Sequence, residues 1–181
     1  MKKLILSLLF VLLAAGPLFA NGACVITDVT STQIAAESNR IADSAAVIVT
    51  ALCTEDSSGT FANTTIPLSG SSPTSALNAY NLTGYYLYQI GRTPGNNSAS
   101  VTSCSSTCPA GNYTVTLTDQ QGFALDLGLL TSNGSATASQ LNYIANSTTN
   151  YPVIRSAPVI ALSGVTNSGA IVRLDLIFKA F

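Results

Sequence analysis

The stretch Ala170-Ile171-Val172-Arg173-Leu174-Asp175-Leu176-Ile177-Phe178-Lys179-Ala180-Phe181 closes the chain with a period of two. Val172, Leu174, Leu176, Phe178 and Ala180 share one parity, while Arg173, Asp175, Ile177, Lys179 and Phe181 share the other. Successive side chains of a strand point to opposite faces, so the pattern reads as a β-strand with one face in a core and one in water. The terminal Phe181 also raises an outer-membrane barrel, where residues on the same face as the last aromatic meet lipid. Here that face carries Arg173, Asp175 and Lys179. Three charges argue against lipid contact and for a soluble strand.

Working outward, the same kind of pattern recurs at short intervals. Val47-Ile48-Val49-Thr50-Ala51-Leu52-Cys53 is nearly all apolar and predicts a strand buried on both faces. Further strands are predicted over Thr60 to Leu68, Gly84 to Ile90, Asn112 to Thr118, Phe123 to Leu130 and Val159 to Ser163. Turn-forming Asp119-Gln120-Gln121-Gly122 and Gly164 to Gly169 separate them, and Gly91 to Ala110 reads as a polar connection. The one stretch with a helical look is Ile34 to Ala46, whose pattern is irregular. Ser and Thr together make 43 residues, which suits pleated surfaces and their connections. The expected fold is all-β: a single antiparallel β-sandwich or jelly-roll-like domain.

Met1-Lys2-Lys3 followed by the apolar run Leu4 to Ala15 and by Gly16 to Ala20 reads as a signal peptide over residues 1–20, leaving a β domain over 21–181. The run falls short of the roughly 20 apolar residues that a spanning helix needs, so the chain is expected to be exported and not membrane-spanning. Its destination is then the periplasm, the cell surface or the extracellular space. Cys24 after Asn21-Gly22-Ala23 raises lipidation, although Asn21 stands where lipoprotein signals prefer an aliphatic residue. Cys24, Cys53, Cys104 and Cys108 are even in number, as expected of disulfides in an exported chain. Of the three pairings, Cys24 with Cys53 and Cys104 with Cys108 are favoured. A four-thiolate zinc site is disfavoured because two close Cys-x-x-Cys hooks are lacking.

Composition limits the chemistry. Only 8% of the 181 residues are charged, against roughly 25% in an ordinary domain, and there is no His and no Trp. Imidazole-based nucleophile activation and His-ligated metals are therefore excluded. A formal net charge of -1 argues against a nucleic-acid partner.

Gly111-Asn112-Tyr113-Thr114-Val115-Thr116-Leu117-Thr118-Asp119-Gln120-Gln121-Gly122, with Asp126, Gly128, Pro94-Gly95 and Val172-Arg173-Leu174, resembles a pattern in uncharacterised β-rich proteins of tailed phages and their bacterial relatives. The resemblance covers about residues 45 to 181 and its motifs are loose. It implies a structural or interaction protein with no catalytic residues. Such proteins generally lack a signal peptide and the cysteines, two respects in which this chain departs from them.

Asp56-Ser57-Ser58-Gly59 has one residue more than the Asp-Ser/Thr-Gly of aspartic proteases, occurs once, and reads more simply as a turn. Asp119 and Asp126 could supply calcium ligands, but Asp119 followed by Gly122 is the signature of a capped turn. Eight carboxylates offer glycosidase pairs, none with a distinctive motif. The expectation is a protein that is not an enzyme and needs no cofactor and no metal. The best binding candidates are the tyrosines of the Tyr80 to Tyr88 region, with Tyr86 and Tyr88 on one face and Tyr85 on the other. Two functions follow: a structural or assembly component whose partners are its own copies or another surface protein, or a module that binds a ligand or glycan through Tyr85, Tyr86 and Tyr88.

Overall fold

In a computed structural model of the protein, the described residues are 22–32, 46–55, 61–74, 79–95, 108–126, 139–143, 152–165 and 167–180. The expected signal peptide, the helical reading of Ile34 to Ala46 (apart from Ala46) and Cys104 lie outside them. Ten strands are present: β1 (Ala23–Thr32), β2 (Ala46–Thr54), β3 (Thr64–Thr65), β4 (Ser69–Ser71), β5 (Ala79–Asn81), β6 (Tyr85–Pro94), β7 (Thr114–Thr118), β8 (Gln140–Tyr143), β9 (Val159–Ser163) and β10 (Ile171–Ala180). Among the described residues there is no helix, hence none long and apolar enough to cross a membrane.

The strands form a five-stranded sheet in the order β1-β2-β10-β6-β8, a three-stranded sheet β3-β9-β7 and the pair β4-β5. Every strand pair is antiparallel. β10 lies at the centre of the larger sheet, and its period of two decides the layering: Val172, Leu174, Leu176 and Phe178 are fully buried, with Arg173, Asp175, Ile177 and Lys179 half-buried on the other face. Val47, Val49, Ala51 and Cys53 of β2 continue the inner face. Val115 and Leu117 of β7 and Ile160 and Leu162 of β9 join the same core from the smaller sheet, so the two sheets make a sandwich. A fully buried aliphatic side chain contributes about 1.5–3 kcal/mol, so these four strands supply a large share of the driving force, with Leu87 and Ile90 of β6 adding to it.

Several sequence expectations are corrected. β2 is buried on one face only, because the opposing sheet covers that face; Ile48, Thr50 and Leu52 on the other are half-buried. Thr60 to Leu68 is broken up, leaving a bridge at Phe61 and the two-residue β3. Pro67 has no N–H to give to a ladder. β6 runs four residues beyond Ile90 instead of giving way to a connection at Gly91, because β10 supplies partners as far as Pro94. Beyond the turn at Gly122, the described pairing consists of Asp119 N–H with Phe123 C=O, Ala124 with Thr118 and Leu125 N–H with Leu117 C=O, and 127–130 lie outside the described residues.

The sequence did not announce β1 or β8. β1 is fixed by its ladder to β2 and by the Cys24–Cys53 disulfide, which joins residues directly opposite each other in that ladder. Cys108 is also disulfide-bonded.

The extension of β6 carries Arg92 into the core, where it is 1% exposed and lies across the ladder from Leu174. Tyr113 is equally buried and its hydroxyl has no hydrogen-bond partner. Burial pushes the Tyr113 hydroxyl up to about 12, with the nearby Arg92 charge pulling the other way.

Two outcomes follow for stability. Replacing Cys24 and Cys53 by Ser should cost about 3–4 kcal/mol in urea unfolding, from the loop entropy returned to the unfolded chain. Tyr113 keeps its proton longer in the folded state, so the stability it confers is intact below about pH 10 and is lost as pH rises towards about 12. Tyr113→Phe should remove that alkaline loss, on the order of 2 kcal/mol, and leave neutral-pH stability equal or higher because an unpaired hydroxyl goes with it. Urea midpoints measured between pH 7 and pH 12 check both statements.

Candidate functional site

The outward face of the five-stranded sheet is where the charges left out of the core collect. Arg173 and Asp175 stand two apart on β10 and so side by side. Arg173 donates from Nε to both carboxylate oxygens at 3.1 Å and from Nη2 to Oδ1 at 3.0 Å. The Thr50 hydroxyl of β2 donates to the same Oδ1 at 2.8 Å. With side chains 34% and 28% exposed, this ion pair contributes modestly to stability, as half-exposed pairs do. It does fix the orientation of both groups.

Beside the pair lies a groove of about 260 Å³ spanning β10, β6 and β8. Gln89, Gly91 and Thr93 come from β6, and Gln140 and Leu141 from β8. A bulge shapes it: Ile177 faces Gln89 and Phe178 faces Leu87, so Tyr88 is an extra residue on β6. The bulge turns Gln89 outward together with Tyr88, and thereafter Ile90, Arg92 and Pro94 point inward. Gln89 is only 9% exposed, yet its amide makes no hydrogen bond to any described residue.

The tyrosines separate accordingly. Tyr85 packs against the core. Tyr86 is half-buried opposite Lys179, and Lys179 Nζ sits 3.6 Å from the centroid of the Tyr88 ring in a cation–π contact. Tyr80 is buried in the β4–β5 pair, with its ring against Gly70. Burial raises its hydroxyl above the ordinary tyrosine value. The groove residues Gln89, Thr93, Arg173 and Asp175 escaped the sequence reading, because the bulge cannot be seen in the pattern of β6.

Asp28 and Asp119 have structural tasks. Asp28 accepts from the hydroxyls of Ser72, Thr74 and Thr30, which together hold its carboxyl below the usual range. Asp119 Oδ1 accepts from the N–H groups of Gln121 (2.9 Å) and Phe123 (2.8 Å), and Gly122 completes the turn at φ 86°. Asp126 is buried, and Asp56 lies outside the described residues. Among the described residues no group of three or more His, Cys, Asp or Glu could hold a metal ion.

Comparison of the chain with protein-family models, with curated proteins and with solved structures returns no match. The likeness to β-rich phage proteins therefore rests on the quoted motifs.

The turn at Asp119 separates capping from calcium binding. Asp119→Ala should cost about 1 kcal/mol through its two lost hydrogen bonds, and Asp119→Asn, which keeps an acceptor oxygen, should cost less. Melting temperatures of the three proteins with and without added calcium check this, and calcium should shift none of them.

Proposed function

We propose that the protein is an exported, non-catalytic β-sandwich that works by contact, as a structural or assembly component at the cell surface or outside the cell. One observation carries the reading: an outward patch of small and apolar residues at the β1–β2 end of the large sheet, with Arg173 at its border. Ala23, Thr54 and Ile171 form one row across the ladder, and Val25 and Leu52 begin the next, which ends on β10 at Arg173, with Val25 61% exposed. The Arg173 charge at its border is balanced by Asp175 at 3.0 Å, so two copies can bring the patch together without net repulsion. A second copy of this chain is the occupant it suits.

Two further features support the reading. The Cys24–Cys53 disulfide suits an oxidising compartment. Asp28, Asp119 and Asp175 are each tied to hydroxyls, backbone or Arg173, an arrangement that favours scaffolding over acid–base chemistry. The resemblance to phage-associated β-rich proteins points the same way.

Light scattering on the oxidised protein tests the proposal. The expected result is concentration-dependent self-association that Val25→Glu weakens at least tenfold, or about 1.4 kcal/mol, with the fold unchanged. A protein that stays monomeric at high concentration removes the assembly reading.

A further inference from the structure

The groove over β10, β6 and β8 reaches from Arg173, which stands opposite Leu52 of the β1–β2 patch, to the β8 edge of the sheet, and three of its features bear on a ligand. The first is Gly91, in the interior of β6 opposite Asp175. A glycine there weakens a strand, and neither conformation nor packing calls for it. Its φ is not positive, and a Cβ would stand 3.4 Å from Asp175 Cβ, an ordinary contact. What the missing side chain does is open the groove floor. The second is Gln89, a residue 9% exposed whose amide makes no hydrogen bond to any described residue and is not among the sealed-off polar groups. Its donors and acceptor are therefore open to a molecule seated in the groove. The third is Arg173, locked in place through Nε and Nη2 while Nη1 makes no bond to any described residue.

The chemistry of the lining narrows the ligand. The charges of Arg173 and Asp175 cancel and no other charged side chain among the described residues lines the groove, so a charged ligand would lose hydration without gaining a net counter-charge from them. Oriented donors and acceptors dominate: the Gln89 amide, the Thr93 and Ser139 hydroxyls, and the guanidinium–carboxylate pair. Leu141 and Ile177 add apolar surface for a C–H face. A volume of about 260 Å³ is below the roughly 300–1,000 Å³ of sites for drug-sized molecules, so it suits one ring and not an extended chain.

We infer that this groove is a saccharide site that seats one uncharged pyranose ring over Gly91, with Gln89 and Arg173 donating to its hydroxyls and Asp175 accepting from them. The tyrosines are not its platform, since Lys179 covers Tyr88 and Tyr85 faces the core. The site adjoins the β1–β2 patch at Arg173, and the two are told apart by their own variants, Gly91→Val for the groove and Val25→Glu for the patch.

The oxidised full chain is applied to a printed array of neutral pyranosides and their oligomers beside sialylated and sulfated glycans, and hits are titrated by calorimetry. Retention is expected on neutral glycans with a shared terminal sugar. Gly91→Val fills the floor with a good strand former, so binding should fall at least tenfold while the urea midpoint holds or rises. Gln89→Leu gives a second variant of similar bulk with the same expected loss. The inference is overturned by absence of retention on every glycan, by retention on acidic glycans alone, or by either variant binding as tightly as the unaltered chain.

Discussion

The structure depends on the register of β10 between its two neighbours. Nine residues of β10 face residues of β2 and nine face residues of β6, and four fully buried side chains hang from one side of it. A slip of one residue would send Arg173, Asp175 and Lys179 into the core and Leu174, Leu176 and Phe178 into water, at several kcal/mol for each misplaced charge. β2 is held in the same way, with nine residues facing β1 and nine facing β10, so the positions of the disulfide, the groove and the outward patch all follow from these adjoining ladders.

With few charges available, hydroxyls and backbone close the edges. β1 is an outer strand of ten residues, an arrangement that invites pairing with another chain. It bulges between Ile26 and Asp28, and the segment 61–74 shields it. Ala62 N–H donates to Gly22 C=O, the Thr64 hydroxyl donates to Cys24 C=O, and Val29 N–H donates to the Ser72 hydroxyl. Asp28 in turn holds Ser72 and Thr74. The abundance of Ser and Thr has a local meaning here: small hydroxyl side chains occupy edge positions where other proteins place lysines.

How much could be read in the sequence depended on whether the period of two stayed unbroken. β10, β7 and β9 alternate cleanly and were legible nearly to the residue, as was the Asp119–Gly122 turn with its capping carboxylate and positive-φ glycine. β1 has a bulge, and β8 is four residues long with a half-polar sequence, so neither has a period to read. The burial of Arg92 was hidden for a related reason: an arginine following Gly91 reads as a loop unless the ladder that carries β6 to Pro94 is known.

The single extra residue at Tyr88 links the core to the outer face. Without it, strict alternation from the inward Leu87 would have turned Gln89 and Gly91 inward and Ile90 and Arg92 outward. With it, Ile90 enters the apolar layer, and Arg92 follows at the cost of desolvating a guanidinium, which burial makes a weaker base. The same shift sets an amide and a bare Cα opposite Ile177 and Asp175, on the face that also carries Arg173. A strand that only had to fill a sandwich would keep its alternation and leave its arginine in water. β6 does neither, and what its irregularity yields on the outer face is the groove.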